Sequence, residues 1–161
     1  MIRNVRQTDA KPLVDIYNYY VKNTVVTFDL ETISETDMQA NIKSVTEKYP
    51  WLVYEIEGAI AGYAYAAQWK KRKAYDSTVE TTVYLHPDFV GKKIGTALYK
   101  ELLAIVKSQG YHLAIGGISL PNAASVALHE KFGFIKAAHY HQVGFKFNQW
   151  IDVGYWQLIL K

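Results

Sequence analysis

A segment rich in glycine and lysine, Val90–Thr96, lies between a predicted strand and a predicted helix, and its chemistry is that of an anion site. Main-chain N–H groups at a helix N-terminus point toward a ligand, and the helix dipole favours negative charge there. Lys92 and Lys93 add positive charge beside Gly91 and Gly95. The spacing matches neither the Walker A loop nor the dinucleotide-binding glycine pattern. Taken alone, the segment is more simply interpreted as a tight turn between a strand and a helix.

A second set of polar side chains recurs on a short predicted helix. Asn122, Ser125 and His129 are spaced i, i+3, i+7, so they share one helix face that carries an amide, a hydroxyl and an imidazole. An imidazole is the only side chain that titrates near neutral pH without perturbation. In isolation, His129 is typical of a helix surface and Glu80 of the solvated face of a strand. Neither residue indicates catalysis without its neighbours.

Alternating strand and helix patterns must position these residues. The order is strand, two helices, three strands, helix, strand, helix and two strands, which predicts an α+β protein with a mixed sheet. Helices are predicted to begin near Thr8-Asp9, Ser34, Ile94 and Pro121. The stretch 77–119 predicts a right-handed parallel crossover. The predicted strands are Ile2–Arg6, Trp51–Ile56, Ala59–Trp69, Ser77–Leu85, His112–Ser119, Phe134–Phe145 and Ile151–Leu160.

Length and composition exclude several classes of protein. The chain has 161 residues, of which 50% are hydrophobic, so we expect one domain over 1–161 with a substantial core rather than a disordered chain. The absence of cysteine excludes disulfides, thiolate metal sites and a cysteine nucleophile. A formal net charge of +3 is too small to indicate a nucleic-acid partner by itself.

The lengths of the apolar runs in the sequence predict where in the cell the protein is found. No run approaches the roughly 20 residues that span a bilayer, so we expect no membrane association. The first residues, Met1–Arg6, contain no apolar signal-peptide core. We therefore expect a soluble protein of the cytoplasm.

The joint order of these features resembles the GNAT acetyltransferase superfamily. Its signature is strand, glycine loop, long helix and strand, followed by Asn-x-x-Ser-x-x-x-His-x-x-x-Gly-Phe, here from Asn122 to Phe134. Nearly the whole chain is similar to the phosphinothricin and methionine sulfoximine acetyltransferase branch. The similar segments are Tyr49–Val53, Gly62–Ala66, Arg72–Tyr75, Thr78–Tyr84, Leu128–Glu130, Gly144–Lys146 and Trp150–Gly154.

The resemblance implies a fold and an activity. The fold would be GNAT-type, with a mixed, mostly antiparallel twisted sheet, a central parallel strand pair and about four flanking helices. The activity would be acetyl transfer from acetyl-CoA directly to the α-amine of a small free amino acid or analogue: phosphinothricin, methionine sulfoximine or a proteinogenic amino acid. No metal would take part. The resemblance also implies a homodimer, because the relatives form dimers.

The resemblance assigns the coenzyme to the glycine loop, the preceding strand and the second helix face. In this branch Gln or Arg usually stands at the position of Val90, and Gly at the position of Lys93. A lysine there would strain the loop if the position requires positive φ, although its charge could face a phosphate. The residues assigned to acetyl-CoA are Val83, Tyr84, Leu85, Val90, Gly91, Lys92, Lys93, Ile94, Gly95, Thr96, Asn122 and Ser125.

Catalysis would follow from acyl transfer to an amine. The amine must lose a proton before it attacks, so a general base is required, and Glu80 matches the family's base. Main-chain N–H groups of the splayed strand would stabilise the oxyanion. His129 stands where many relatives carry a tyrosine acid, and it could act as acid, base or orienting group.

On the acceptor side, the resemblance points to Phe28 as a pocket wall and to Arg72 and Tyr75 near the acceptor. A guanidinium binds a carboxylate in a bidentate manner, which motivates an amino-acid acceptor. Lys146 is a weaker candidate for contact with an anion. The surrounding basic run, Lys70–Lys73, is otherwise typical of a solvated turn.

Two alternatives differ in class from an enzyme. The substitutions at Val90 and Lys93 motivate a non-catalytic acyl-CoA-binding or regulatory module of the same fold. The basic loop alone motivates, more remotely, a nucleic-acid binder. His139 and His141 are spaced as metal ligands could be, but no carboxylate is nearby in the sequence, so we expect structural or interface roles for them.

Overall fold

The computed structural model describes all 161 residues. Eleven helices and strands build it, together with three short 3-10 turns. The helices are α1 (Ala10–Asn23), α2 (Glu35–Thr46), α3 (Ile94–Ser108) and α4 (Ala123–Lys131). The strands are β1 (Ile2–Asn4), β2 (Trp51–Ile56), β3 (Ala59–Gln68), β4 (Thr78–Leu85), β5 (Leu113–Leu120), β6 (Ile135–Lys146) and β7 (Gln149–Ile159).

One seven-stranded sheet forms the centre of the molecule, in the order β1-β2-β3-β4-β5-β7-β6. Its only parallel pair is β4–β5, in the middle of the sheet, and every other pair is antiparallel. The predicted α+β class, mixed sheet, central parallel pair and four helices are therefore confirmed. The parallel pairing covers only Thr78–Glu80 and Leu113–Ile115. Beyond Glu80 the two strands separate, which opens the middle of the sheet.

Hydrophobic clusters cover both faces of this sheet. One face packs on α3, whose buried stripe includes Leu98, Leu102 and Val106. The other face packs on α1 and α2 through residues such as Leu13 and Ile42. At about 25 cal/mol per Å² of buried apolar surface, these two layers supply the main driving force that holds β4 and β5 in place.

Short-range signals account for the starts of α1 and α2. Ser34 caps α2 by accepting the Asp37 N–H at 3.0 Å, and the Asp37 carboxylate accepts the Ser34 N–H, as the pattern predicts. Asp9 is the N-cap of α1, as the sequence predicts, but its side chain does not cap the helix. The Asp9 carboxylate instead binds the guanidinium of Arg3 and the N–H of Arg6. Because the chain turns at Arg6 to make this contact, β1 ends at Asn4 rather than at Arg6.

The last two strands are longer at their joint than the sequence predicts. They form a hairpin around Phe147 and Asn148, whose φ values of 50° and 58° lie in the left-handed region. Two such residues make the two-residue turn that matches the twist of a hairpin. None of the four helices combines the length and the apolar character needed to cross a bilayer.

Candidate active site

The gap between β4 and β5 contains a narrow polar cavity of about 230 Å³. Its walls are the diverging halves of the two strands and one face of α4. The predicted helix face lines it as a unit, with Asn122, Ser125 and His129 together. Because β4 has no neighbour on this side beyond Glu80, its main chain is free to hydrogen-bond a ligand.

A larger cavity of about 670 Å³ lies on the other side of Glu80. Eleven of its sixteen lining residues are hydrophobic, so it suits an organic group more than a phosphate. The two cavities have five lining residues in common: Val26, Phe28, Glu80, Gly117 and Ser119. The carboxylate of Glu80 thus stands at the junction of a polar channel and an apolar pocket.

The environment of Glu80 favours the uncharged acid. Its carboxylate receives no hydrogen bond from the protein and has no ion-pair partner. Burial therefore raises its pKa above the ordinary value of 4.5. A carboxylate with a raised pKa is a better proton acceptor near neutral pH than a solvated one.

His129 is buried beneath the polar cavity, not exposed on a helix surface. Its Nδ1–H donates to the Ser125 carbonyl at 2.7 Å, since a carbonyl can only accept. Its Nε2 lies 3.0 Å from the hydroxyl of Tyr99, which also lies 3.1 Å from Oγ1 of Thr81. Burial lowers the pKa of His129 below 6.5, so the ring is neutral at pH 7 and Nε2 accepts from Tyr99.

Two glycines of β5 explain how the ring fits there. The pair Gly116-Gly117 weakens the prediction of a strand, yet both residues are fully within β5. A Cβ atom on Gly116 would lie 2.7 Å from Cδ2 of His129, and one on Gly117 would lie 3.1 Å from the ring of Tyr155. The missing side chains therefore make room for the imidazole and for the cavity.

The glycine loop ends in the N-terminus of α3, as predicted. Main-chain amides from Gly91 to Thr96 donate to no other group of the protein, and the first donor of the helix is Ala97, to Lys93. No side chain caps this end. Lys93 has φ = 61° and ψ = 15°, in the left-handed region, and Gly91 has φ = 82°. Lys93 thus has a backbone conformation that glycine adopts without steric strain.

Several other coenzyme candidates also border this region. Val83 and Tyr84 line the polar cavity, and the carbonyl of Leu85 accepts a hydrogen bond from the Tyr20 hydroxyl at 2.5 Å.

The residues of the glycine loop differ in exposure. Val90 and Lys92 are exposed at the loop, while Ile94 and Gly95 are buried at the start of the helix. Asn122 caps α4 by accepting the Ser125 N–H at 3.1 Å.

The loop between α1 and α2 closes both cavities with Val26 and Phe28. Lys146 is buried and donates to the carbonyl of Thr27 at 2.8 Å, so it anchors this loop rather than facing the cavity. The ring of Phe28 lies over Gly144, where an added Cβ atom would come to 2.5 Å from Cζ. The predicted pocket wall is thus held by residues of β6.

Arg72 and Tyr75 do not line the cavity that contains Glu80. They border a separate surface hollow with Lys70 and Lys71. Trp69 and Lys70 line the larger cavity instead, and the ammonium of Lys70 lies 4.8 Å from the centre of the Trp69 ring.

Other residues of this region carry no functional signal in the sequence. Tyr99 looks like one more apolar position of the α3 stripe, and Thr81 like a residue of an inward strand face. Only the packing of the elements shows that the Tyr99 hydroxyl contacts both Thr81 and His129. The expectation that His139 and His141 lack a carboxylate partner is wrong, because Asp152 of β7 contacts both. That contact forms across a hairpin and has no short-range signal.

A family model for an acetyltransferase domain and curated relatives that are N-acetyl- or N-acyltransferases match this chain. The family model described as acetyltransferase (GNAT) domain matches residues 2–154. Phosphinothricin N-acetyltransferase of Streptomyces viridochromogenes is 38% identical over 156 residues, which are 97% of this chain and 85% of the relative. L-amino acid N-acyltransferase MnaT of Escherichia coli is 36% identical over 160 residues, 99% of this chain and 93% of the relative.

Solved structures agree with these sequence matches. The phosphinothricin acetyltransferase of Sinorhizobium meliloti, solved in complex with AcCoA, superposes with a TM-score of 0.97 at 34% identity, over 99% of this chain and 88% of that one. The acetyltransferase yncA of Salmonella typhimurium, solved with acetyl-CoA, also gives 0.97 at 34% identity, over 100% and 94%. The resemblance and the type of fold expected from the sequence are both confirmed.

Proposed function

Since the chain belongs to the GNAT acetyltransferase family, we propose that it moves the acetyl group of acetyl-CoA to the α-amine of a small free amino acid. The observation that carries this proposal is the position of Glu80 on the border of two cavities. The polar cavity suits the thioester arm, and the apolar one suits the acceptor. A base between them is in reach of an amine that enters from one side and a carbonyl carbon that enters from the other.

Acetyl-CoA binds, in this proposal, along the unpaired edge of β4 and at the N-terminus of α3. The amides from Gly91 to Thr96, which have no partner in the protein, receive the pyrophosphate. Lys92 and Lys93 add charge, and Val83–Leu85 pairs with the amide-rich arm. Asn122 and Ser125 contact the same arm from the opposite wall.

The reaction is direct. Glu80 accepts a proton from the acceptor's ammonium group, and the free amine nitrogen attacks the thioester carbonyl carbon. Main-chain N–H groups along the opened edge of β4 stabilise the oxyanion. Collapse of this intermediate breaks the C–S bond. The second proton of the attacking nitrogen passes through solvent to the thiolate, which leaves as free coenzyme A, and Glu80 later releases its proton to solvent.

His129 has a positioning role in this scheme. Both of its ring nitrogens are engaged inside the protein, and its lowered pKa keeps it neutral. It therefore fixes the hydroxyl of Tyr99, which lines the polar cavity and remains protonated because burial raises its pKa. The single hydroxyl proton of Tyr99 stays in its hydrogen bond to Nε2, so the His129–Tyr99 pair shapes the wall of the polar cavity and does not supply the proton that the thiolate receives.

The acceptor is proposed to be an amino acid with an uncharged side chain. The apolar lining of the larger cavity, with Phe28, Trp69 and Tyr140, favours such a side chain over a phosphinate. Lys70 lines the same cavity and supplies a positive charge for the carboxylate. Arg72 and Tyr75, in the adjoining hollow, remain candidates for contact with a longer acceptor.

The test is a thiol-release assay with acetyl-CoA and a panel of acceptors. We expect methionine-like and aromatic amino acids to turn over faster than phosphinothricin and than simple polyamines. In Glu80→Gln we expect turnover to fall by about 10²–10⁴-fold while acetyl-CoA binding, measured by calorimetry, is kept. Glu101→Gln, at an exposed carboxylate of α3, is the control. Faster turnover of polyamines, or full activity of Glu80→Gln, would contradict the proposal.

We infer further that the protein is a homodimer. Large apolar side chains of the β6–β7 hairpin are half-exposed or more, an unusual density for a monomer's surface. They are Ile135, Tyr140, Val143, Phe145, Phe147 and Trp150. Sedimentation should give twice the chain mass of 18.4 kDa, and Trp150→Glu should shift it to the monomer. A monomeric parent protein would contradict this inference.

We also infer a cytoplasmic location, because the acetyl donor is a metabolite of the cell interior and the chain contains no cysteine for an oxidising compartment. Cell fractionation tests this. Recovery of the protein outside the cytoplasmic fraction would contradict it.

A further inference from the structure

Two imidazoles and a carboxylate converge on the surface of the β6–β7 hairpin, outside both cavities that contain Glu80. Nε2 of His139 lies 2.9 Å from Oδ2 of Asp152, and Nδ1 of His141 lies 3.1 Å from the same oxygen. The ligand-type atoms of the three residues all lie within 4.8 Å of one another. The two rings stack with their centres 4.3 Å apart.

The two nitrogen–oxygen distances are close to those of a tetrahedral metal site. With bonds of about 2.0–2.1 Å from zinc to nitrogen and oxygen, neighbouring ligand atoms lie about 3.3 Å apart. The two nitrogen–oxygen distances are therefore short of that value by only a few tenths of an ångström. Imidazole nitrogen and carboxylate oxygen are ligands that borderline divalent cations accept, whereas Mg²⁺ prefers oxygen alone.

The hairpin holds the carboxylate in place for this purpose. The pairing of β6 and β7 shifts between Tyr140 and Gly144, and Gln142 lies inside this bulge with φ = 53°. The N–H of Gln142 donates to Oδ1 of Asp152 at 2.8 Å, which leaves Oδ2 to face the histidines. A main-chain donor on the second oxygen is the kind of outer contact that orients a metal-binding carboxylate.

Asp152 is the one acidic residue of this cluster, and one basic side chain lies beside it. One opposing charge is present, because Lys136 donates to Nδ1 of His139 at 2.8 Å. Its ammonium fixes the hydrogen on Nε2 and must move away before a cation binds there. Lys136 is exposed, so its long side chain can turn toward solvent.

We propose that His139, His141 and Asp152 form a binding site for one divalent transition-metal cation of the zinc class, with water in the remaining coordination position. The site is next to the acceptor cavity, because Tyr140 lies between the two histidines and Val153 follows Asp152, and both line that cavity. Bound metal would therefore stiffen one wall of the acceptor cavity. The proposal stands on its own, without the assignment of the acetyl acceptor.

The first experiment is calorimetric titration of zinc chloride into the tag-free protein after treatment with a chelator. We expect one zinc ion per chain and an affinity that falls at least about tenfold in His141→Gln and in His139→Gln. His112→Gln is the matched control, because His112 is an exposed histidine with no side-chain partner, and we expect it to bind as the parent does. Absence of zinc binding by the parent would overturn the proposal. So would unchanged binding in both hairpin variants, or an equal loss in the control.

The second experiment measures thermal unfolding, since a ligand that binds only the folded state raises the melting temperature. We expect zinc to raise it in the parent and in His112→Gln, magnesium at the same concentration to leave it unchanged, and a chelator to reverse the zinc effect. His141 is largely exposed, with 78% of its side chain accessible, so His141→Gln should fold normally and show no zinc shift. An equal zinc shift in this variant would overturn the proposal.

Discussion

Gly116 of β5 lies directly against the ring of His129 on α4, so that a Cβ atom added to the glycine would come to 2.7 Å from Cδ2 of the imidazole. Carbon atoms do not approach so closely in a relaxed core. The backbone conformation of Gly116 is one that any residue can adopt, since its φ is not in the left-handed region. The glycine is therefore required by the buried histidine and not by the strand.

We expect Gly116→Ala to push His129 away from Tyr99 and Ser125. Overpacking of this kind costs about 1–3 kcal/mol in the free energy of unfolding. In this variant kcat should fall by a larger factor than the affinity for acetyl-CoA, because the pyrophosphate loop does not contact Gly116. Urea unfolding and steady-state kinetics measure the two effects. Gly95→Ala is the control for stability, since its nearest contact would be an ordinary 3.6 Å to Leu128. Parent-like stability of Gly116→Ala would show that the ring has more room than the structure gives it.

The pH dependence of kcat should show an acidic limb that belongs to Glu80. Because burial raises the pKa of Glu80, the carboxylate takes up its proton at a pH above 4.5, and the rate should fall as the pH drops through that range. The measurement is kcat at saturating acceptor between pH 4.5 and 8. Glu80→Gln should be slow and have lost this limb, while Glu101→Gln keeps it. A limb that persists in Glu80→Gln would assign the titration to another group.

The polar residues that lie on one element were predictable from the sequence, and those that meet across elements were not. Spacing along one helix placed Asn122, Ser125 and His129 together, and all three line the same cavity. The contact of His129 with Tyr99 depends on how α4 packs over α3, which no periodicity encodes. The burial of His129 also depends on this packing. A histidine on a helix considered by itself is more often exposed, so the sequence alone does not predict the burial.

Contacts between distant loops limited the prediction of the acceptor side. The basic run placed charge near the acceptor, but only the path of the chain decides that Lys70 faces the larger cavity while Arg72 borders another hollow. Likewise Lys146, 119 residues beyond Thr27, became a loop anchor and not an anion contact. Long-range pairs of this kind leave no trace in local sequence patterns.

Lys93 provides a test of backbone strain in the pyrophosphate loop. Its left-handed conformation costs a non-glycine residue about 1–2 kcal/mol, and the greater freedom of unfolded glycine offsets about 0.5–1 kcal/mol of any relief. We therefore expect Lys93→Gly to gain up to about 1 kcal/mol in the free energy of unfolding without coenzyme. Lys93→Val should lose stability, since a β-branched residue is least tolerant of positive φ.

The matched control for this test is Lys92→Gly. The neighbouring lysine does not have positive φ, so its replacement by glycine should lose about 0.5–1 kcal/mol. Urea unfolding of the four proteins measures all differences. If Lys93→Gly and Lys92→Gly lose stability equally, the loop does not hold Lys93 in the left-handed region in solution.

Lys146→Met should loosen the loop that carries Phe28. The substitution removes the hydrogen bond from the ammonium to the Thr27 carbonyl and leaves that carbonyl without its partner, which costs about 1–3 kcal/mol. We expect a higher KM for the acceptor with unchanged affinity for acetyl-CoA, because Phe28 closes the acceptor cavity. Kinetics and calorimetry separate the two. Lys107→Met, at an exposed position of α3, should change neither. An unchanged acceptor KM in Lys146→Met would mean that the loop keeps its position without this bond.

His129 should make the stability of the protein depend on pH in a defined window. Its pKa is lowered by burial in the folded state, whereas the unfolded chain titrates near 6.5. As the pH falls below 6.5, the unfolded state binds a proton that the folded state does not, so the free energy of unfolding decreases. The slope of unfolding free energy against pH is at most about 1.4 kcal/mol per pH unit for one proton, and it ends once the pH falls below the folded-state pKa.

Urea unfolding of the parent and of His129→Gln between pH 7 and pH 5 tests this prediction, with His112→Gln as the control. In His129→Gln, the slope of unfolding free energy against pH should decrease by the contribution of one proton. The control should keep the slope of the parent, because His112 is exposed just before β5. An identical slope in all three proteins would mean that His129 accepts a proton as easily in the folded state as in the unfolded one, which its two hydrogen bonds and its burial oppose.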